Sequence, residues 1–320
     1  MTIALALLVF RGKSLARYLA FEVAAYAIGW ILWSLLKPED TYFAIVVFAV
    51  LELAAFSVAL ANADEVRWSA TRAMAIAAIV YAFVIAAQMR QVPDGDEPFY
   101  LLITESLVKD HDRDLSNQYR DLAHSATGRT DLVPQIGDPR GPHGEQYSRL
   151  EPFLPLVMMP GYKLAGLPGA LATIALLGVL LVRQTIRLLE DEGIDDGTIR
   201  ALFPFLAFGP PIVFYAARIW PEVPGALAFV EAVRGVRQRR IKRAIPAMLF
   251  LGLLKVRFVL IDLLLVAQWG VRHSASGIRH PASGRRASDA GCRMPIVLVI
   301  AIPLVLLAVF TGSALNGHSL

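Results

Sequence analysis

The stretch "LPGALATIALLGVLLVR", residues 167–183, decides the fold class of this chain. No charged residue occurs in it before Arg183, and a segment needs roughly 20 mostly apolar residues to cross about 30 Å of hydrocarbon. The whole chain is similarly apolar: 56% of its 320 residues are hydrophobic and 18% are charged, with a mean hydropathy of +0.53. This composition is too apolar for a soluble domain and predicts an all-α, polytopic integral membrane protein.

Further apolar stretches approach the length of a membrane span. They are residues 18–36, 41–62, 73–89, 201–217, 222–233, 244–269 and 294–310. Together with 167–183 they predict about eight to ten transmembrane or half-membrane helices. We expect one integral membrane domain over residues 1–320, in which 18–89 form the N-terminal transmembrane helices, 90–151 form a loop, and 152–310 form further transmembrane helices.

Basic residues predict the orientation of these helices. The segment "RGVRQRRIKR" (234–243) has six Lys or Arg and no acid, and residues 271–293 have five Arg against one Asp. Cytoplasmic loops are enriched in Lys and Arg, so both segments are expected in the cytoplasm. Counting crossings backward from residue 234 places the 90–151 loop outside. A forward count of three crossings, with the basic residues near the N-terminus in the cytoplasm, gives the same result. The expected location is the cell membrane.

The 90–151 loop is strongly acidic, with 12 of the chain's 27 Asp and Glu against seven Lys or Arg. Within it, "PFYLLITESLVK" (98–109) predicts an amphipathic helix that begins at Pro98 and lies on the membrane surface with its apolar face down. Asp96 and Glu97 precede or open this helix. They either cap it and complement its dipole or take part in chemistry.

Two short acidic patterns in the loop are typical of metal sites. Asp94-Gly95-Asp96 has the DxD form that holds a divalent metal ion in nucleotide-sugar transferases, although nucleotide sugars are normally absent outside the cell. "DHDRDLSNQYRD" (110–121) places aspartates at several ligand positions of an EF-hand loop, but Leu115 replaces the required Gly. A divalent metal ion is therefore a candidate cofactor that these patterns leave open.

Four ordered segments resemble GT-C-fold glycosyltransferases, the polytopic enzymes that include protein mannosyltransferases and aminoarabinose and arabinosyl transferases. They are "DGDEPFYLLITESLVKDHDRDLSNQYRD", "GEQYSRLEPFLPLVMMPGYKLAG", "FGPPIVFYAARIWPEVPGAL" and "LGLLKVRFVLI", which begin at residues 94, 144, 208 and 251. The first is similar to the family's first extracytoplasmic loop. The resemblance implies a GT-C-like helical bundle that transfers a sugar from a polyprenyl-phosphate donor to a lipid, glycan or protein acceptor hydroxyl outside the cell.

The resemblance also implies roles for individual acids and cations. Asp96 matches the family's acidic residue at the start of the loop and is the expected catalytic base, with Glu97 as the second candidate or a residue that orients the acceptor. A lipid-phosphate leaving group requires a cation, and Arg257, with Lys255 beside it, is the candidate. Many relatives have an aromatic residue or His just before this Arg, where the chain has Val256.

The run that contains these cations, 244–269, is too long for one span and short for two. We therefore predict two half-length helices that meet near Lys255 and Arg257; snorkelling of both cations to headgroups is the alternative. Arg218 and Glu222 are candidate substrate contacts, and their mutual pairing is the structural alternative. Tyr100 is a further candidate substrate contact.

A non-catalytic membrane protein, such as a transporter or a scaffold in envelope assembly, is the rival function. Relatives of GT-C type usually continue through further helices, so the chain is expected to be either a short member or a fragment. A transporter should show paired broken helices in two related halves, and the sequence has one such break. The basic segments fit membrane topology and contact with anionic membrane lipids, so we expect no nucleic-acid partner.

Overall fold

The computed structural model describes residues 18–20, 23, 56–57, 60, 68–89, 91–135, 143–209 and 212–277. These residues are mainly helical and include no β-strand, which agrees with the predicted all-α class. Among the predicted spans, 294–310 lies outside the described residues, and 18–36 and 41–62 lie almost entirely outside them.

Nine α-helices follow one another between residues 70 and 277 of the described chain. They are α1 (Ala70–Gln88), α2 (Glu97–Lys109), α3 (Ser116–Arg120), α4 (Phe153–Asp191), α5 (Asp196–Phe208), α6 (Ile212–Tyr215), α7 (Glu222–Arg237), α8 (Ile241–Leu254) and α9 (Val259–Gly277). Short 3₁₀ turns cover Leu122–His124 and Val256–Phe258. The chain divides into two compact units, Met1–Ala82 with Val182–Phe214, and Phe83–Leu181 with Tyr215–Leu320.

Two of the described helices, α1 and α4, are long and apolar enough to span a membrane. Helix α4 has 39 residues and bends at Ala165 and Gly166, where the backbone leaves helical geometry and Gly166 takes a φ of 61°. A positive φ is accessible to glycine because it lacks a Cβ atom. The apolar stretch 167–183 thus begins directly after the bend, at the predicted position.

The predicted span 201–217 is wrong as a single helix, because α5 ends at Phe208. Gly209 has an extended backbone, with φ −62° and ψ 143°. The two residues that follow are Pro210 and Pro211, and proline disfavours helical geometry in the residue before it. The sequence therefore contains the reason for the early end of the helix.

The predicted break in the run 244–269 is confirmed. Helix α8 ends at Leu254, Lys255 is extended with φ −153° and ψ 134°, and α9 begins at Val259. Helices α7, α8 and α9 pack around a shared apolar cluster, whose buried members are Ala232, Val236, Ala244, Ala247, Met248, Leu265, Val266 and Trp269. This packing fixes the two helices that flank the break.

Helix α2 begins and ends close to its predicted limits, but its expected position on the membrane surface is wrong. Every residue from Glu97 to Ser106 is buried. Its Leu102 and Ile103 pack on Leu115 of the following loop. Because no face of these three turns is exposed, the first part of α2 is a core helix of its unit and positions the acids at its N-terminus.

Candidate functional site

The candidate site begins at the tight turn that leads into α2. Gly95 has a φ of 63°, and a Cβ atom added to it would lie 2.8 Å from the Trp220 ring. Asp96 occupies the N-cap position with helical dihedral angles, and its side chain makes no capping hydrogen bond. Capping is therefore not the role of the Asp96 carboxylate. In the described part of the chain this half-buried carboxylate has no hydrogen bond or ion pair.

The neighbouring Glu97 has the opposite environment. It is 2% exposed, and its carboxylate accepts hydrogen bonds from the Arg218 guanidinium at 3.0 Å and from the Ile219 backbone amide at 2.8 Å. A third hydrogen bond comes from the Asp94 backbone amide, which donates to the Glu97 carboxylate at 3.3 Å. Both oxygens of Glu97 are thus engaged, and they tie the start of α2 to the segment before α7.

Two more ion pairs lie at the break between α8 and α9. The Arg257 guanidinium is 3.1 Å from a Glu222 carboxylate oxygen, and the Lys255 ammonium is 3.7 Å from Glu151. The other carboxylate oxygen of Glu222 is buried and has no hydrogen-bond partner in the described structure. Arg218 and Glu222 do not pair with each other, because each has its own partner.

Tyr100 is the buried side chain near the charged residues of both helix ends. Its side chain is fully buried, and its hydroxyl has no hydrogen-bond partner among the described residues; the Lys255 ammonium lies 5.8 Å from its ring centre. Burial raises the pKa of the Tyr100 phenol far above its usual range, the negative charges of Glu151, Asp96 and Glu222 raise it further, and the positive charge of Arg257 opposes them. Asp96 and Arg257 therefore lie within electrostatic reach of one phenol oxygen.

Three other acids of the loop stabilise its backbone. The Asp114 carboxylate accepts two backbone amides and the Ser116 hydroxyl, and Asp112 accepts the Ser106 hydroxyl and a backbone amide. Buried Glu105 accepts the Ala126 amide at 2.7 Å and pairs with a lysine one turn later. These bonds give the acidic composition a structural explanation that does not apply to Asp96.

A divalent metal ion is the candidate cofactor that the acidic patterns of the loop left open. Within residues 91–135 and 143–209, as elsewhere in the described chain, no three His, Cys, Asp or Glu side chains converge on one point. In the DxD pattern, Asp94 lies 3.7 Å from the Arg129 guanidinium and is highly exposed. Hydrogen bonding within the loop likewise occupies Asp112 and Asp114 of the EF-hand-like pattern. No chemical step is therefore assigned to a metal.

Several residues of this region were not identified from the sequence. Glu151 is separated from Lys255 by more than 100 positions, so no spacing rule connects them. Trp220 contacts Gly95 only because the fold brings the two loops together. Asp262 is fully buried, and neither carboxylate oxygen has a hydrogen-bond partner in the described chain. A lone acid in an apolar run is a signal that could have identified it.

Comparisons with known proteins add no family to these observations. No protein-family model, no curated protein and no solved structure matches the chain. The functional inference therefore depends on the residues of the site and on the two apolar helices, α1 and α4, that are suited to a membrane.

Proposed function

We propose that the chain is a membrane glycosyltransferase of GT-C type, which transfers a sugar from a polyprenyl-phosphate donor to an acceptor hydroxyl. One observation carries the proposal: the buried Tyr100 lies one helical turn after Asp96, an acid with no partner in the described chain, and 5.8 Å from Lys255 at the helix break that also carries Arg257. A group-transfer site with an anionic leaving group needs a base and a cation.

In this reaction Asp96 is the general base. Its carboxylate takes the proton of the acceptor hydroxyl while the acceptor oxygen bonds to the anomeric carbon of the sugar. The bond between that carbon and the phosphate oxygen breaks, and polyprenyl phosphate leaves with the electron pair. A base must have a free oxygen, and this oxygen must lie within hydrogen-bonding reach of the acceptor. Asp96 has a free oxygen, whereas both oxygens of Glu97 are engaged. We therefore assign to Glu97 the positioning of α2.

Arg257 and Lys255 bind the donor phosphate in this proposal. A guanidinium can form two parallel hydrogen bonds with phosphate oxygens, and Arg257 retains 61% side-chain exposure despite its pairing with Glu222. Lys255 is largely buried beside Glu151, so it supplies charge at the inner side of the site. Both cations must exchange a carboxylate partner for the phosphate, at least in part.

The substrate classes follow from the setting. A lipid-linked donor requires a site next to the hydrocarbon, which a chain with membrane-spanning helices provides. We place the site on the extracytoplasmic face of the cell membrane, where the acceptor is a lipid, glycan or protein hydroxyl. Arg218 helps to position these substrates through its ion pair with Glu97. The free Tyr100 hydroxyl contacts them directly. No nucleic acid is involved.

The decisive experiment is binding and turnover of polyprenyl-phosphate sugars by the purified chain in lipid nanodiscs. Arg257→Gln should weaken donor binding at least about tenfold, since it removes the phosphate-binding cation. Arg187→Gln is the matched control, because Arg187 also forms an exposed 3.1 Å ion pair, with Glu190, and belongs to the other compact unit. Absence of saturable binding to any polyprenyl-phosphate sugar would refute the proposal and favour a non-catalytic protein.

A further inference from the structure

A second charged surface lies at the tight turn between α7 and α8. The turn is closed by the Arg240 amide, which donates to the Gly235 carbonyl at 2.8 Å. A Cβ atom at Gly235 would lie 2.6 Å from the Ala244 amide nitrogen, so the two helices approach closely. Arg239 has a φ of 55°, at the position after the helix end where glycine is usual.

The left-handed conformation of Arg239 has an energetic cost that a glycine would avoid. Backbone strain of this kind persists where the surrounding structure enforces it, and it points to function when an observed outlier coincides with chemistry. Here the strained residue is an exposed cation. The turn therefore holds a positive charge at a position where folding alone favours a residue without a side chain.

The cations of this turn are largely without acidic partners. Arg239, Arg240 and Lys242 are exposed and form no ion pair with the described residues. Arg243 differs, because it pairs with Glu231 at 2.9 Å. These four cations and Ile241 are the described residues that line an open cleft of about 470 Å³, and none of them is a carboxylate. The cleft is therefore a site of concentrated positive charge that suits an anion.

We propose that this cleft, which we call the turn cleft (residues 239–243), binds the phosphate of an anionic phospholipid headgroup. Arginine binds phosphate through planar, paired hydrogen bonds, and juxtamembrane cations attract anionic lipids. A lipid fits better than a soluble phosphate because α8 continues from the cleft with residues 244–254, which carry no charge. The residues of this stretch that are not buried lie on one face of the helix, and they are Ile245, Pro246, Leu249, Phe250 and Leu253. Headgroup and acyl chain thus have matching surfaces along one helix. The inference is independent of the glycosyltransferase activity.

The test uses the full chain purified in a neutral detergent and titrated with short-chain phosphatidylglycerol, with bound lipid counted by native mass spectrometry. Phosphatidylcholine is the zwitterionic comparison. Arg239→Gln/Arg240→Gln should weaken phosphatidylglycerol binding about tenfold or more. The control Arg120→Gln/Arg187→Gln changes the net charge equally at other exposed positions and should leave binding unchanged.

Arg239→Gly separates the role of the side chain from that of the backbone. It should raise the thermal midpoint of the lipid-free protein, because it relieves the left-handed strain, and it should nevertheless weaken phosphatidylglycerol binding. Unchanged lipid binding by Arg239→Gly and by the double variant would overturn the proposal. So would equal binding of phosphatidylcholine, or displacement of the lipid by inorganic phosphate or an oligonucleotide at the same concentration.

Discussion

Asp96 and Glu97 are adjacent acids that differ in burial and in hydrogen bonding. Glu97 is buried and holds a guanidinium and a backbone amide, whereas the Asp96 carboxylate is half-buried and engages no hydrogen-bond donor in the described chain. A carboxylate whose oxygens are occupied must break bonds before it can accept a proton. The difference assigns the proposed proton transfer to Asp96 and the positioning of α2 to Glu97.

Asp96→Asn tests the proposed base. The amide retains the size of the side chain but cannot accept the acceptor's proton, so turnover should fall about 10²- to 10⁴-fold while donor binding changes little. Transfer of radiolabelled sugar in nanodiscs measures turnover, and retention of the radiolabelled donor by the nanodiscs measures donor binding. Asp112→Asn is the control in the same loop, and its turnover should fall far less because Asp112 stabilises the backbone. Near-normal transfer by Asp96→Asn would remove Asp96 from the mechanism.

Glu222→Gln tests whether the ion pair of Arg257 competes with the donor phosphate. Neutralising Glu222 removes the carboxylate that lies 3.1 Å from the guanidinium, so sugar-free polyprenyl phosphate should bind about three- to tenfold more tightly. Fluorescence titration in nanodiscs measures the affinity. Glu190→Gln, which releases Arg187 in the same way, should have no effect. Weaker binding by Glu222→Gln would show that Glu222 contacts the substrate favourably instead.

At the scale of elements, the charged residues of the site lie at the ends of helices. Asp96 and Glu97 lie at the N-terminus of α2, Glu222 begins α7, and Lys255 and Arg257 lie between α8 and α9. A helix end leaves backbone groups free and lets a side chain turn toward a neighbouring element. The site therefore depends on how these helix ends are held together within their unit.

Glu97→Gln should loosen the attachment of α2 to the segment before α7. The change leaves the Arg218 guanidinium without its buried counterion, and the loss is expected to lower the free energy of unfolding by about 2 to 4 kcal/mol. Denaturant titration in mild detergent, followed by tryptophan fluorescence, measures it. Asp110→Asn, at an exposed position at the other end of α2, serves as the comparison. Equal stability of the two variants would contradict the anchoring role of Glu97.

Helix α5 provides a pH-dependent prediction. Its N-cap Asp195 accepts the Thr198 amide at 2.9 Å and the Thr198 hydroxyl at 2.6 Å, and these hydrogen bonds lower the pKa of the Asp195 carboxyl. A lowered folded-state pKa stabilises the fold above the unfolded-state value, and the contribution is lost as the pH falls through the folded-state value. Wild type should therefore exceed Asp195→Asn in thermal midpoint at about pH 6, and the gap should shrink as the pH falls below the ordinary Asp value of about 3.9.

At the scale of the whole molecule, the chain consists of two compact units, and each contains part of a helix suited to a membrane. Helix α1 begins in the unit that includes Met1–Ala82, and α4 begins in the unit that includes Phe83–Leu181. All seven residues proposed for the site belong to the second unit. The proposed chemistry is thus internal to one unit.

The proposed topology is testable with single cysteines, because the chain has only Cys292. In a Cys292→Ser background, Asp131→Cys in the 90–151 loop should react with a membrane-impermeant maleimide added to intact cells. Lys242→Cys in the turn cleft should react only after permeabilisation, since basic segments are retained in the cytoplasm. Labelling of both positions in intact cells would contradict the proposed orientation.

The sequence alone determined the all-α class, the limits of α2, the start of the apolar arm of α4 after Gly166 and the break at Lys255. Each of these depends on local features, namely apolar run length, proline and glycine positions and charge, which act between residues near in the chain. The end of α5 at Phe208 is also encoded locally, by Pro210 and Pro211. The apolar run 201–217 was nevertheless long enough to predict a single span.

Only the tertiary structure decided which charges meet. The sequence suggested a pair between Arg218 and Glu222, four residues apart, yet the fold gives Arg218 to Glu97 and Arg257 to Glu222. It also buries the first part of α2 that an amphipathic pattern placed on a membrane surface. Ion pairing and burial depend on long-range packing, and no periodicity in the chain encodes a partner more than 30 residues away.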